Sequence, residues 1–257
     1  MKFLGIIPAR YASSRFPGKP LADMNGKPMI QRVYEQVANL LDKVVVATDD
    51  QRIYDAVNRF GGNATMTSPA HQSGTDRCLE AYLNLQEKYD VVVNIQGDEP
   101  FIKASQIELL KNCFNDLNTQ IATLAKAFDQ EDDFEVLFNP NTPKVLFDTN
   151  NYAIYFSRSV IPYIRGKHHT EWLKTTIYYK HIGIYAYRID VLKKITALPP
   201  STLEKAESLE QLRWIENGYR IKVGITPEET IGIDTPEDLE KALKIMNHTV
   251  PNGISFL

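Results

Sequence analysis

The sequence predicts an α/β fold: a mostly parallel sheet that carries a mixed, partly antiparallel arm. Three observations carry this expectation. Short β-branched runs alternate with amphipathic helical periods through the first half of the chain, the pattern of βαβ units. The most apolar run, Val91-Val92-Val93-Asn94-Ile95, has almost no polar alternation and suits a strand covered on both faces. After about residue 119 the strands follow one another through turns rather than helices, which is an antiparallel pattern.

In chain order, Phe3, Leu4, Ile6 and Ile7 make the first strand, and the apolar run stops at Pro8. Met29, Ile30, Val33, Val37, Leu40 and Leu41 recur at helical spacing. Val44 to Ala47 is a strand ended by Thr48 to Asp50, and Ile53, Ala56, Val57 and Phe60 mark a helix stopped by Gly61-Gly62. A short strand at Ala64 to Met66 and the loop Thr67 to Gly74 precede a helix from Thr75 to about Lys88. The central apolar strand then ends in Gln96-Gly97-Asp98-Glu99-Pro100. Gln120 to Phe128, Lys144 to Phe147, Tyr152 to Ser157 and Tyr179 to Arg188 read as strands, whereas Pro162 to Thr176 has no period and reads as an exposed loop. Ser201-x-x-Glu204 and Thr235-Pro-Glu-Asp238 have the form of capping boxes at helix starts, the second with proline at the first helical position.

Composition bounds the function. With 257 residues, 43% apolar and 24% charged, the chain can bury a large core. A net charge of −3 gives no electrostatic footprint for nucleic acid. No run of about 18 apolar residues is present, so no membrane span is expected. Two isolated cysteines, Cys78 and Cys113, read as reduced, buried thiols of a cytoplasmic protein. The neighbouring His168 and His169 have no third ligand spaced near them and read as solvated.

The loop after the first strand carries Arg10, Arg15 and Lys19 among Ser13, Ser14, Pro17 and Gly18, with no acid before Asp23. Three uncompensated cations at the carboxyl end of a strand suit a polyphosphate, although a solvated basic loop has the same composition. Neither G-x-x-x-x-G-K-[ST] nor G-x-G-x-x-G is present, so a P-loop or dinucleotide site is not supported. Ser73, Gly74, Thr75, Asp76 and Arg77 open a helix whose free N–H groups suit a nucleotide, or form an ordinary capped start. Asp98 ends the central strand and Asp234 precedes the last helix. Two such acids converging on a basic loop are better explained by Mg²⁺ than by capping.

The strand Tyr179 to Arg188 has Ile182, Ile184 and Ala186 on one face and His181, Gly183, Tyr185 and Tyr187 on the other. The first face is expected in the core. The second is expected to be a polar wall with a gap at Gly183, fit to hydrogen-bond a polyhydroxylated acid. Glu210 and Gln211 sit just off the stripe Leu203, Ala206, Leu209, Leu212 and Ile215, so periodicity alone leaves them free to be solvated.

The strings PARYASSRFPGKPL, QSGTDR, NIQGDEP, YFSR, HIGIYAYR, LEQLR and GIDTPEDLE occur in that order across about 240 residues, and together they resemble the CMP-Kdo synthetase (3-deoxy-manno-octulosonate cytidylyltransferase) family. The resemblance implies the nucleotidyltransferase (Rossmann-like) form of the α/β fold in a single domain. Residues 1–118 would form the nucleotide-binding half, 119–190 the sugar-binding and dimerisation arm, and 191–257 the helices that complete the site. It implies transfer of CMP from CTP to 3-deoxy-D-manno-octulosonate (Kdo), with loss of pyrophosphate. Pro8, Ala9, Arg10, Arg15, Lys19, Ser73, Gly74, Arg77 and Gln96 would bind the nucleotide. Arg158, His181, Tyr185, Glu210 and Gln211 would bind the sugar, with Arg158 suited to its carboxylate. Arg10, Lys19, Asp98 and Asp234 would carry the chemistry, with Mg²⁺ on the two aspartates. Exposed aromatic strands and the resemblance together point to a homodimer. A transferase acting on 8-amino-Kdo, sialic acid or a polyol phosphate, a metal-dependent glycosyltransferase and a catalytically silent nucleotide-binding regulator remain as other readings.

Overall fold

A computed structural model describes residues 1–13, 15–229 and 231–249, with side chains through Asn247. Ser14 of the basic loop and the tail 252–257 lie outside the described residues. In chain order the elements are β1 (Phe3–Ala9), α1 (Met29–Val37), β2 (Lys43–Thr48), α2 (Gln51–Arg59), β3 (Ala64–Met66), α3 (Gly74–Leu83), β4 (Val91–Asn94), α4 (Ala104–Asn112), β5 (Ile121–Ala127), β6 (Lys144–Phe147), β7 (Ala153–Ser157), α5 (Trp172–Thr175), β8 (Tyr179–Arg188), α6 (Ile189–Ile195), α7 (Thr202–Glu207), α8 (Glu210–Glu216), β9 (Ile221–Ile225) and α9 (Pro236–Thr249).

Alternation along β1 sends Phe3, Ile7 and Ala9 to one apolar layer and Leu4 and Ile6 to the other. A strand apolar on both faces must be covered on both. Ile30 and Val33 of α1, Val57 of α2 and Ile107 of α4 cover the first layer; Cys78 and Ala81 of α3, Leu192 of α6 and Trp214 of α8 cover the second. The sheet has nine strands in the order β3-β2-β1-β4-β8-β5-β9, with the β6–β7 hairpin joined to it through β8. β3, β2, β1 and β4 run parallel, as do β5 and β9, and β8 lies antiparallel between β4 and β5. The carboxyl ends of β1, β4 and β5 therefore share one edge. Order reverses at β1, whose neighbours are β2 and β4, and this is where open α/β sheets bind ligands.

Several expectations are corrected. β8 is central, so Tyr185 and Tyr187 are as buried as Ile182 and Ile184; the expected polar wall reaches solvent only in part, at the half-buried His181 and Gly183. β1 continues through Pro8, which keeps its register with Ala47 although it donates no ladder bond. The helix begun near Thr75 stops at Leu83. The Leu203–Ile215 stripe is two helices, because Ser208 adopts a left-handed conformation (φ 51°) between α7 and α8. The segment 162–176 is not wholly solvated: Trp172 and Leu173 form a satellite core with Phe128, Leu137 and Tyr178. Both capping boxes are made, Ser201 with Glu204 and Thr235 with Asp238. α4 and β9 are elements the sequence pattern did not announce. Cys78 and Cys113 are free and buried, and burial raises both thiol pKa values, that of Cys113 to about 11.

Lys144 roots the hairpin. Its fully buried side chain donates to the carbonyls of Asn139 (3.2 Å), Thr142 (2.9 Å) and Arg158 (2.7 Å), gathering three segments on one ammonium. Lys144→Met keeps the volume and orphans three acceptors. We predict a loss of roughly 3 kcal/mol, read as a lower urea midpoint at unchanged slope; a loss under about 1 kcal/mol would show that water replaces the ammonium.

Candidate active site

The loop after β1 folds back on itself. Tyr11 carbonyl accepts from Ser13 N (3.0 Å) and Gly18 N (2.9 Å), and Gly18 has φ +73°, so its missing side chain lets the loop close against the Tyr11 ring. The Arg52 guanidinium, held by Asp50, stacks 3.3 Å from the centre of that ring. The closure delivers Lys19 to the end of β4. Its ammonium contacts Asp98 (2.5 Å) and Asp234 (3.1 Å), and Arg15 contacts the other oxygen of Asp234 (3.0 Å). Residues from three distant segments thus meet at one point. The two aspartates are not caps: Thr235 and Asp238 cap α9, and Lys103 N with Gln106 closes the start of α4. Ile233 N donates to Asp98 O (2.9 Å), which fixes the Asp234 segment against the end of β4. Gly97 lets the turn after β4 lie against β1, since a Cβ there would stand 3.0 Å from the Pro8 carbonyl.

A cavity of about 150 Å³ lies at the end of β1, lined by Pro8, Ala9 and Arg10 together with Ser73, Gly74 and Arg77 from the start of α3. Ser73 caps α3 by accepting from Asp76 N, so the expected N-cap is made and the cavity still faces the helix start. Arg10 is exposed and has no ion pair among the described residues. Arg77 is buried, and its guanidinium donates to Thr67 Oγ1 (2.6 Å) and Asp49 (2.9 Å). One oxygen of Glu80 accepts from Ser68 N (2.8 Å) and also contacts His71, holding the 68–73 loop that forms the cavity's outer wall.

On the other face of the site, Gln96 donates to Gly183 O (3.2 Å) at a bulge where β8 slips against β5 between Thr123 and Leu124. Thr123 Oγ1 lies 2.8 Å from Ile184 O and 3.0 Å from His181 Nε2. The hydroxyl has one proton, which goes to a carbonyl, so it accepts from His181 and assigns the Nε2–H tautomer. Burial lowers the His181 pKa to about 3. The Tyr185 and Tyr187 hydroxyls and Gln211 Nε2 are buried without a hydrogen bond; Thr123 and Thr75 lie near the two tyrosines but close no well-formed one.

Not every expected sugar residue joins this wall freely. Gln211 is buried, but Glu210 uses both oxygens, accepting from Thr75 (2.7 Å) and Arg213 (2.8 Å), and so ties α8 to the start of α3. Burial raises its pKa against those two contacts. The Arg158 fork donates to three backbone carbonyls, those of Glu207 (2.6 Å), Pro140 (2.7 Å) and Ser208 (3.3 Å), beside Trp172, and no hydrogen bond links it to His181 or Tyr185. A wider depression, about 660 Å³, lies at the β5 and β9 ends, where Lys126 and Lys180 share Glu229 and so leave no cation open. Among the described residues no group of three His, Cys, Asp or Glu could hold a metal.

The sequence profile of the cytidylyltransferase family matches residues 4–223. The 3-deoxy-manno-octulosonate cytidylyltransferase of Parabacteroides distasonis is 71% identical over 96% of this chain and 98% of its own, and that of Bacteroides thetaiotaomicron is 62% identical over 96% and 99%. The chain belongs to the 3-deoxy-manno-octulosonate cytidylyltransferase family. A solved CMP:2-keto-3-deoxy-manno-octonic acid synthetase complexed with CTP is 44% identical, with a TM-score of 0.89 over 97% of this chain and 100% of that one. A 4-diphosphocytidyl-2C-methyl-D-erythritol synthase at 16% identity and a TM-score of 0.61 shares the fold alone. The nucleotidyltransferase form of the α/β fold and the family are thus as the motifs implied. Among the described residues of this cytidylyltransferase no helix is long and apolar enough to cross a membrane.

Sequence reading missed Asp49, Thr67, Glu80 and Thr123. Asp49 had a signal, since an acid ends β2 on the same edge as the basic loop; the others are visible only through their partners. For His181, a folded-state pKa near 3 lies below the usual 6.5, so the unfolded chain takes the proton first. Its contribution to stability is present above pH 6.5 and is lost as pH falls from 6.5 toward 3. We predict that the His181 ring stays neutral to about pH 4 by NMR and that His181→Asn flattens the stability curve over that window. Titration near pH 6.5 would refute the buried placement.

Proposed function

We propose that this chain transfers the cytidylyl group of CTP to Kdo, giving CMP-Kdo and pyrophosphate and so supplying activated Kdo for lipopolysaccharide. The observation that carries the reading is the Lys19 ammonium held between Asp98 and Asp234 on the sheet edge where β1 and β4 end and where Pro8, Ala9 and Arg10 line a cavity. The family, and the relative complexed with CTP, support the same substrates. In this reading Pro8, Ala9, Ser73, Gly74 and Arg77 hold the nucleoside, and Gln96 joins the nucleotide side to the sugar wall. Arg10, Arg15 and Lys19 meet the phosphates. His181, Tyr185, Gln211 and the Gly183 gap face the sugar, whose hydroxyls match the orphaned polar atoms there. Glu210 acts by positioning Thr75 and Arg213. Residues 1–118 thus form the nucleotide half, 119–190 the sugar side and arm, and the remainder completes the site.

The anomeric hydroxyl oxygen forms a bond to the α-phosphorus, the bond from that phosphorus to the β-phosphate oxygen breaks, and the hydroxyl proton passes to solvent. Lys19 and Arg10 stabilise the charge that grows on the departing diphosphate. His181 is a poor general base, because its pKa lies near 3 and its proton is committed to Thr123. The donor set fits Mg²⁺: two carboxylate oxygens already share one cation, and this ion binds through one or two carboxylates plus phosphate oxygens. Asp98 and Asp234 would hold it, and it would supply Lewis-acid polarisation of the phosphate. Exposed Tyr163, Phe138 and Ile177 on the arm support a homodimer through that face.

We predict fast pyrophosphate release from CTP with Kdo and Mg²⁺, slower release with UTP, and little with ATP or GTP; comparable ATP or GTP rates would sink the reading. Lys19→Ala lowers kcat/KM by about 100-fold or more, roughly 2.7 kcal/mol, without loss of thermal stability. Asp98→Asn lowers kcat by at least about 1,000-fold, and Asp234→Asn acts in the same direction with partial rescue by Mn²⁺. Activity within about tenfold of wild type in both aspartate variants would return them to structural roles. Light scattering is expected to show a dimer at micromolar concentration.

A further inference from the structure

Arg77 is a charged side chain with 4% exposure, yet it lines the cavity beside the β1 loop. A buried guanidinium needs a counter-charge and fixed acceptors. Asp49 provides the charge at 2.9 Å and Thr67 the second acceptor at 2.6 Å, and they come from two different elements: the residue that follows β2 and the loop after β3. Arg77 itself stands in the first turn of α3. The guanidinium is therefore located by three segments at once, and it can neither turn nor withdraw without breaking an ion pair in a nearly water-free setting.

We propose that Asp49 is a positioning residue for base selection, acting through Arg77. The inference rests on the reading of the Pro8–Arg77 cavity as the nucleoside site. A guanidinium has only N–H donors. With two of them fixed on Asp49 and Thr67, Arg77 presents a donor-only wall of set position. The cytosine edge offers two adjacent acceptors, its O2 and N3, whereas the uracil edge offers O2 beside an N3–H donor. A donor wall in a fixed place accepts the first and opposes the second with an unpaired buried N–H, the kind of mismatch that discriminates strongly. A guanidinium free to shift would find a compromise with uracil, so selectivity depends on the carboxylate that holds it. Asp49 touches no reacting atom, and its effect falls on nucleotide binding rather than on turnover.

The test uses the full-length protein with saturating Kdo and Mg²⁺, varying CTP and UTP and following pyrophosphate. Asp49→Glu keeps the ion pair and hence the fold, but moves the guanidinium by one methylene. The expected result is a CTP KM raised about tenfold or more, a CTP/UTP preference in kcat/KM lowered at least about fivefold, and a CTP kcat within about threefold of wild type, at a melting temperature close to wild type. Asp49→Asn keeps an acceptor in the same place but removes the counter-charge of a buried guanidinium, and is expected to raise the CTP KM and lower the CTP/UTP preference at least as far as Asp49→Glu, with a lower melting temperature. A folded Asp49→Glu with wild-type CTP KM and CTP/UTP preference overturns the proposal, as does a folded Asp49→Asn with both measures unchanged. The wild-type preference is read in the same assay: its absence sinks the cytidine reading itself, whereas its presence with an unaltered Asp49→Glu sinks only the role of Asp49.

Discussion

Lys19 reaches two carboxylates that lie 79 and 215 residues away in the chain, and the site is organised around that meeting. Opposite charges brought together from separate segments are favourable only if the backbone places them without strain. Here the placement comes from the sheet: β1 and β4 are neighbours, both end on the same edge, and Gly97 lets the turn after β4 lie against Pro8. The Asp234 segment then closes on Asp98 through a backbone bond from Ile233. A cluster of two cations and two anions is nearly neutral, so it is tolerable with no phosphate present. It can also exchange partners when a phosphate anion arrives with its own counter-ion, because the cations and carboxylates each have a new opposite charge to face.

The same edge serves two chemically different walls. Around the Pro8–Arg77 cavity the groups are ionic and are held from behind: Arg77 by Asp49, and the 68–73 loop by Glu80. Along β8 they are neutral, and the bulge opposite Thr123 leaves Gly183 half-exposed and turns His181 into a fixed donor. Gln96 bridges the two through the Gly183 carbonyl, and Glu210 bridges them again through Thr75. The division suits a reaction between a polyanion and a polyhydroxylated acid. Charge handles the first, and a dry array of hydroxyl and amide groups handles the second.

Most of the parallel half was legible in the chain. Apolar runs at Phe3–Ile7, Val44–Ala47 and Val91–Ile95 announce strands because a doubly covered strand has little room for polar residues. The meeting of Lys19 with Asp98 and Asp234 was also legible, since charges at strand and helix ends of an α/β pattern share one edge by topology. The later elements were harder. β8 was read as half exposed because its tyrosines alternate with aliphatics, and alternation cannot tell a solvated face from one that is buried under α8. β9 was missed although Ile221, Val223 and Ile225 alternate with Lys222 and Gly224, because an alternation only five residues long and interrupted by a glycine is a weak signal. The break at Ser208 was invisible because a left-handed serine has no sequence mark comparable to glycine.

What the sequence determined by itself is what depends on local pattern: the alternation of strands and helices, the caps at Ser201 and Thr235, the basic loop, and the ordered motifs that resemble one family. What the tertiary structure decided is every statement about partners. Asp49 behind Arg77, Glu80 on the 68–73 loop, and Thr123 fixing the His181 tautomer are contacts between residues 28, 12 and 58 positions apart. The same is true of Arg158, whose fork the sequence aims at a carboxylate and the fold gives to three carbonyls. A side chain's chemistry is fixed by its identity, but which of its donors and acceptors remain open is fixed by neighbours that only the folded chain brings within hydrogen-bonding distance.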